Sequence, residues 1–262
     1  MSKSYSITAI GAGNIASHLV PALKEIGCDI VEVYSRSIYK ARSLASKVNA
    51  KPRSDLSKIN KESDIYLIMI ADDAIKEVVD KLPQFSDQQM IVHTSGATPS
   101  TVLKSTQIPY GVFYPLQSFK KGQEINLSQV PFLIFSEDEK LLRTIGVIAR
   151  QLSQTVKVVT DQERLLYHLA AVFVNNFTNH IACIGDNILN NNKLDPQILK
   201  PIIETTFNKI LTQDACAIQT GPAIRNDVAL QKKHLKLIEN ETDWTSIYKI
   251  ISKSIYNSNK EE

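Results

Sequence analysis

The sequence has few cysteines and no block of cationic residues. Its three cysteines, Cys28, Cys183 and Cys216, are odd in number and far apart, which argues against both a disulfide framework and a paired zinc motif. The 30 basic and 27 acidic residues are spread along the chain, so no stretch is suited to follow a nucleic-acid backbone. We therefore expect a protein of the reducing cytoplasm that does not bind nucleic acid.

Long apolar runs are also absent. No stretch of signal-peptide length precedes Gly11, and the longest apolar segment, 165–184, contains two histidines and three asparagines. That segment predicts a buried helix of a soluble protein and not a membrane span. Because His18, His180 and His234 have no partners at the spacing of metal ligands, we predict no metal site.

The chain does contain an alternation of short β-branched runs with helical stretches, from Tyr5 to about Val159. This alternation is typical of βαβ units around a parallel sheet. From Asp161 to Tyr256 only helical periodicity remains, interrupted by turn-forming residues. The candidate strands are 6–10, 30–34, 65–70, 90–93, 110–114, 131–135 and 155–159, and the candidate helices between them are 14–26, 39–48, 73–82, 100–105 and 137–152. We therefore predict an α/β domain over residues 1–159 and an all-helical domain over residues 160–262.

A glycine-rich turn, Gly11-Ala12-Gly13-Asn14-Ile15-Ala16, directly follows the first predicted strand and matches G-x-G-x-x-G/A. Gly11 allows a tight turn, and Gly13 lets a pyrophosphate approach the backbone. The helix that follows offers free N–H groups and a partial positive charge to the phosphates. Since a strand precedes the turn and a helix and a second strand follow it, the motif has the context it requires. We predict a Rossmann-type, doubly wound, mostly parallel sheet that binds a dinucleotide through Gly11, Ala12, Gly13, Asn14 and Ile15.

The second strand ends at Ser35-Arg36-Ser37, where nicotinamide enzymes distinguish NAD from NADP. Arg36 can face a 2′-phosphate, and Ser35 and Ser37 can donate hydrogen bonds to it. Lys40 lies one helical turn further on and adds positive charge. The sequence therefore predicts NADP rather than NAD. In the alternative interpretation, Glu32 within the strand reaches the ribose and Arg36 is only solvated.

Two further turns are predicted to line the same cleft, because ligands of open α/β sheets bind beyond the carboxyl ends of the strands. One turn contains Ala71 and Asp72, and the other contains Thr94, Ser95 and Gly96. We expect Ser95 and Gly96 on the nicotinamide side. Asp72 has an alternative role, shared with Asp73, as the N-cap of the next helix.

A proton donor is required if the dinucleotide delivers a hydride to a carbonyl or imine, and histidine titrates in the useful range. In a regular α-helix, His168 and Asn175 lie seven residues apart on one face. On an otherwise apolar helix such a polar pair must face a substrate or other polar groups. We predict both as catalytic residues, although His168 can also be a satisfied core residue. The alternative proton donors are Tyr114 and His93, at the ends of predicted strands.

Two segments are candidates for substrate binding. Gln117 lies in the proline-containing loop after Tyr114, although a plain turn explains that loop as well. Residues 220–227 predict the start of a helix, with Thr220 or Gly221 near the cap and a proline in the first turn. Arg225 would then lie near a helix N-terminus and hold a substrate carboxylate, the alternative being a structural pair with Asp227.

Taken together, these motifs resemble those of the NADP oxidoreductases that join a Rossmann-like domain to a helical domain of unassigned function. The motifs are the turns at 11–16, 35–37 and 93–97, the loop 114–117, the helix segment 168–176 and the turn 220–222, which span nearly the whole chain. More distantly, the chain is similar to the 6-phosphogluconate dehydrogenase superfamily, including ketopantoate reductase and pyrroline-5-carboxylate reductase. The resemblance implies a homodimer formed by the helical domain, a cofactor cleft between the domains and a small carboxylate-bearing substrate, and we add Asn176 to the substrate-binding candidates.

The chain departs from this superfamily at one important position. The hydroxyacid dehydrogenases and ketopantoate reductase carry a catalytic lysine four residues before an asparagine, where this chain has Ala171 and Val172. His168 is the nearest substitute, and Tyr114 stands where related proteins often have a histidine. We expect an NADPH-dependent reductase of a small carbonyl or imine compound. The alternatives are a dinucleotide-binding sensor without turnover and an enzyme that uses another nucleotide-bearing cofactor, such as S-adenosylmethionine.

Overall fold

The computed structural model describes residues 4–258. It contains two compact units, the first ending at Asn175 and the second beginning at Asn176. The first unit is built on a sheet and the second consists of helices.

The sheet of the first unit has eight strands in the order β3-β2-β1-β4-β5-β6-β7-β8. The strands are β1 (Ser6–Ile10), β2 (Asp29–Tyr34), β3 (Lys51–Arg53), β4 (Ile65–Ile68), β5 (Met90–His93), β6 (Tyr110–Pro115), β7 (Phe132–Ser136) and β8 (Val156–Val158). The first six are parallel, β7 runs antiparallel to β6, and β8 is parallel to β7. The strand order reverses between β1 and β4, the point at which doubly wound sheets bind their ligands. The predicted Rossmann-type, mostly parallel fold is confirmed.

Helices cover the sheet and form the second unit. They are α1 (Asn14–Glu25), α2 (Ile38–Val48), α3 (Asp72–Val79), α4 (Glu139–Leu152), α5 (Asp161–Ala171), α6 (Thr178–Asn191), α7 (Lys200–Thr212), α8 (Val228–Leu237) and α9 (Thr242–Ser258). The predicted helix at 100–105 is instead a 3-10 helix, Ser100–Thr106. None of the helices in the described part of the chain combines the length and the hydropathy that a bilayer crossing requires.

The core of the first unit lies on both faces of the sheet. In β4, for example, Ile65 and Leu67 belong to one apolar cluster, whereas Tyr66 and Ile68 belong to another. Alternate residues of a strand point to opposite faces, so a strand covered on both sides must be apolar throughout. This explains why the central strands correspond to short, largely apolar runs in the sequence.

A buried arginine joins the turn after β5 to the start of α5. Arg164 has no exposed surface. Its guanidinium donates to Asp161 Oδ1 at 2.5 Å, to Gly96 O at 3.3 Å and to the Thr98 carbonyl. The other oxygen of Asp161 accepts from the Ser100 backbone N–H at 2.8 Å and from its hydroxyl at 2.9 Å. The guanidinium thus fixes the turn that the sequence assigns to the nicotinamide side.

The segment 165–184, predicted as a buried helix, is largely exposed in the chain. Leu166 is 59% exposed and Phe173 60%. The helix is also irregular, because Val172–Phe177 is a π-helix between α5 and α6. The prediction that His168 and Asn175 share a face assumed a regular α-helix, and the wider π turn removes that phase relation.

The second unit buries very little of its own apolar surface. Within residues 176–258, Ile184 and Ala223 are the buried hydrophobic residues. The predicted helix start at 220–227 is wrong, since α8 begins only at Val228, where the Asp227 carboxylate accepts from Leu230 N at 3.0 Å. Gly221 has a φ of 109° and Asn226 a φ of 51°, so the chain turns here and cannot be helical.

We expect Arg164→Met to lower the free energy of unfolding by about 3 kcal/mol, because it leaves Asp161 and two carbonyls without their partner. The matched control is Arg143→Met, which breaks an exposed 3.5 Å pair with Glu139. Its cost should stay below about 0.5 kcal/mol. Urea unfolding curves measure both values, and equal losses in the two variants would contradict the anchoring role of Arg164.

Candidate functional site

A cavity of about 620 Å³ opens at the carboxyl ends of β1, β2 and β4. Ten of the residues predicted to bind the cofactor or substrate line it: Gly11, Ala12, Gly13, Asn14, Ile15, Ser35, Arg36, Lys40, Ala71 and Gln117. The cavity therefore lies at the reversal of strand order, where the fold places a dinucleotide.

The two glycines of the phosphate turn have different physical roles. Gly11 has a φ of 129°, and a Cβ there would lie 2.1 Å from the carbonyl oxygen of Met69, so only glycine fits. Gly13 has an ordinary φ of −87°. A Cβ on Gly13 would meet no atom within 4 Å. The space beside Gly13 and the N-terminus of α1 suits a pyrophosphate, which needs close approach to backbone N–H groups.

The other end of the cavity is cationic and begins where β2 ends. Arg36 and Lys40 line it together with Ser35. Glu32, the alternative ribose ligand, does not line the cavity. It is 1% exposed and accepts from Arg53 at 2.9 and 3.1 Å and from Asn60 N at 3.1 Å. The residues present therefore fit a dinucleotide with a 2′-phosphate better than one with a free ribose hydroxyl.

The loop after β6 lies over the start of α1. Lys121 N donates to the Asn14 side chain at 3.3 Å, and the His18 ring is 3.0 Å from the Lys120 carbonyl. Gln117 and Phe119 line the cavity from this loop. The structure thus places Gln117, predicted as a substrate residue, in the same cavity as the glycine-rich turn.

Tyr114, His168 and Gly96 meet at the carboxyl ends of β5 and β6. The Tyr114 hydroxyl and His168 Nδ1 are 3.0 Å apart and hydrogen-bonded. A Cβ on Gly96 would lie 2.6 Å from His168 Nδ1 and 2.8 Å from Tyr114 Cζ, so the glycine backbone packs directly against the pair. Burial, and secondarily the Asp72 carboxylate, raises the pKa of Tyr114 to about 12. The phenol is therefore protonated at neutral pH.

The turn after β5, which Arg164 fixes, also has hydrogen bonds of its own. The Ser95 hydroxyl accepts from Ala97 N at 3.2 Å and from Thr98 N at 2.8 Å. Thr94 and Ser95 are buried, and the turn does not belong to the lining of the described cavity. His93 accepts from Ser95 N at 3.1 Å, and burial lowers the pKa of its imidazole to about 4. A neutral, buried His93 is suited to shaping the turn.

The remaining predicted residues have different positions. Ser37 precedes α2 as its N-cap, without a side-chain capping bond. The N-cap of α3 is Ala71, so the alternative that Asp72 and Asp73 cap this helix is wrong. Both instead lie in its first turn, where a carboxylate is stabilised by the helix dipole. Asn175 ends the first unit, while Asn176 and Arg225 belong to the second, and all three are exposed.

Several lining residues were missed by the sequence analysis, chiefly one face of the α3 segment. Ala74, Glu77, Val78 and Lys81 follow the spacing i, i+3, i+4 and i+7 and all line the cavity. That spacing could have predicted a cavity-lining face, although it is equally typical of an ordinary helix face packed on the core. Across residues 4–258, no group of three histidine, cysteine or carboxylate side chains is placed to hold a metal ion.

Fold and cavity define a dinucleotide-binding protein, and comparisons with known proteins narrow the class. Residues 6–96 match the family described as NADP oxidoreductase coenzyme F420-dependent. Residues 130–255 match a domain of unknown function, DUF2520. No curated protein matches the chain.

Solved structures extend the likeness to the whole chain. A Bacteroides fragilis protein, provisionally named an NADP oxidoreductase, is 34% identical with a TM-score of 0.91, over 97% of this chain and 98% of that one. A Thermotoga maritima protein is 25% identical with a TM-score of 0.73, over 97% and 98%. An imine reductase from Myxococcus stipitatus in complex with NADP+ shares the fold at 16% identity, with a TM-score of 0.65 over 98% and 93%.

The chain therefore belongs to the family of NADP oxidoreductases in which this N-terminal domain is joined to DUF2520. The resemblance expected from the sequence is confirmed, and so is the prediction of NADP as the cofactor.

We expect Gly13→Ala to weaken NADPH binding at least about tenfold, because the methyl group takes the space beside the phosphate turn. Its stability should change by less than about 0.5 kcal/mol, since the backbone conformation is open to alanine. Gly11→Ala is the contrasting variant and should destabilise the fold itself. Calorimetric titration and thermal unfolding measure the two effects, and intact NADPH affinity in Gly13→Ala would contradict the assignment.

Proposed function

We propose that this protein is an NADPH-dependent reductase of a small carbonyl or imine compound that carries a carboxylate. The observation that carries the proposal is the Tyr114–His168 hydrogen bond, packed against Gly96 at the ends of β5 and β6. A buried, protonated phenol beside an imidazole is a proton donor with a means of resupply. The pair occupies the part of the sheet edge expected for the nicotinamide.

The chemistry divides between cofactor and protein. NADPH, when bound, supplies the hydride that is added to the carbon of the C=O or C=N bond. Tyr114 donates the balancing proton to the oxygen or nitrogen, which would otherwise hold the developing negative charge. His168, hydrogen-bonded to the same hydroxyl, would then give its Nδ1 proton to the phenolate while its Nε2 takes a proton from solvent. This pair takes the place of the lysine that the hydroxyacid dehydrogenases carry and this chain lacks.

Two features support the substrate class. Structures with the same fold include an imine reductase and a pyrroline-5-carboxylate reductase from Coxiella burnetii, the latter at 15% identity with a TM-score of 0.54. Arg225 is an exposed cation, available in the second unit for a substrate carboxylate. Asn175 and Asn176 remain candidates for orienting the reacting group.

We expect Tyr114→Phe to lower turnover about a hundredfold, the lower end of the usual contribution of a general acid, with NADPH affinity unchanged. His168→Ala should also lower turnover, whereas Tyr110→Phe, at the opposite end of the same strand, is the control and should not. NADPH oxidation against a panel of keto and imino acids measures the effect. A tight NADPH complex with no oxidation across the panel would favour the sensor alternative, and full activity of Tyr114→Phe would remove the tyrosine from the mechanism.

We further propose that the protein is a homodimer formed by the helical unit. Helices α7 and α8 expose large apolar side chains, among them Ile202 at 65%, Leu211 at 80% and Leu237 at 82%. A unit with so few buried apolar residues gains little from folding alone, and apolar surface of this extent is typical of an obligate interface. A second copy of the chain supplies an equally apolar surface.

The double variant Ile202→Glu, Leu211→Glu should dissociate the dimer, because both charges would be buried without partners. Val158→Glu is the control, since Val158 is similarly exposed at 62% but lies on β8 of the first unit. Light scattering after size exclusion gives the mass. A monomeric wild-type protein at micromolar concentration would contradict this proposal.

A further inference from the structure

One wall of the cavity contains an ion pair with no part in the reductase mechanism. Glu77 on α3 and Lys81 in the following turn both line the cavity, with Oε1 and Nζ 2.6 Å apart. Arg36 and Lys40 line the same cavity from the end of β2. The cavity wall therefore carries three cations and one carboxylate, a net charge of +2, counting Arg36, Lys40 and Lys81 against Glu77.

We propose that Lys81 is a third cation of the 2′-phosphate site, and that Glu77, which is paired with this lysine, opposes the phosphate. The pair would then set how strongly the protein prefers NADPH to NADH. A phosphate group carries close to two negative charges at neutral pH, so it gains from every nearby ammonium and loses from every nearby carboxylate. NADH has no 2′-phosphate, so neither effect acts on its binding.

The electrostatics of Tyr34 show that these groups share one region. Tyr34 is the last residue of β2 and lines the cavity. Burial raises the pKa of its phenol. The positive charges of Arg36 and Lys81 lower this pKa, and the negative charges of Asp55 and Glu77 raise it. Arg36 also contributes to lowering the pKa of the Glu77 carboxyl, after its hydrogen bond and attraction to Lys81. Lys81 and Arg36 therefore act on the same groups, although 45 residues separate them in the chain.

A second ion pair on the same helix provides the contrast. Lys76 and Asp80 have the same i, i+4 spacing, a distance of 2.9 Å and comparable exposure. Neither residue lines the cavity. Lys76–Asp80 is therefore an ordinary surface pair. Breaking it shows how much NADPH binding changes when only the stability of the helix is affected.

The experiment compares NADPH and NADH dissociation constants, measured by calorimetry at low salt, in four proteins: wild type, Lys81→Gln, Glu77→Gln and Lys76→Gln. Lys81→Gln should weaken NADPH binding about fivefold and NADH binding by less than about twofold, as expected for one exposed charge contact. Glu77→Gln should strengthen NADPH binding by about twofold, with NADH nearly unchanged. Lys76→Gln should alter neither constant.

Opposite changes in NADPH affinity in Lys81→Gln and Glu77→Gln distinguish an effect on the phosphate from an effect on helix stability. If Glu77 and Lys81 served only to stabilise α3, either substitution would break the same pair, and both variants would change binding in the same direction. That result, or an equal change for NADPH and NADH in Lys81→Gln, or no change in Lys81→Gln, would overturn the proposal. Raising the salt concentration should reduce the fivefold difference, because exposed charges are screened. Since binding is measured without turnover, the outcome does not depend on the reductase proposal.

Discussion

The close approach of the turn after β1 to the end of β4 is the constraint on which the site depends. At Gly11 the backbone passes so near the Met69 carbonyl that no side chain fits between them. Gly11 N also donates to the Tyr34 carbonyl at 2.8 Å, which ties the same turn to β2. Three strand ends are thus drawn together at one point, and the cavity opens beyond them. The position of the cavity follows from backbone sterics before any charged side chain contributes.

The turn after β5 is organised by a different kind of contact, a buried charge. Arg164 satisfies carbonyls of the turn after β5, and Asp161 balances it while holding Ser100. The same turn presents Gly96 to Tyr114 and His168. The position of the Tyr114–His168 pair therefore depends on an ion pair that is remote in sequence from Tyr114 and absent from the predicted site. Only the folded contacts show this dependence.

The sequence allowed the parallel sheet and the phosphate turn to be predicted, because both depend on local pattern. All seven predicted strands are present within two residues of their predicted bounds, whereas β3 was missed, since three residues containing Pro52 carry no strand signal. The α3 wall of the cavity was missed because an amphipathic spacing does not state what its face contacts. The prediction of a buried helix at 165–184 was wrong for the isolated chain, because apolar composition predicts burial but does not identify the surface that covers the helix.

The hydrogen bonds that Glu32 accepts have a consequence for how cofactor preference can evolve. This buried carboxylate is bound at the sheet edge by Arg53 and the Asn60 amide, so its removal would leave both donors without their acceptor. Ser35, Arg36 and Lys40, in contrast, lie at the cavity wall. Substitutions at these three wall positions can change the preference between NADP and NAD without disturbing the contacts that hold the edge of the sheet. The residues that can vary with the cofactor are thus different from the residue that stabilises the sheet edge, although all of them lie between Glu32 and Lys40.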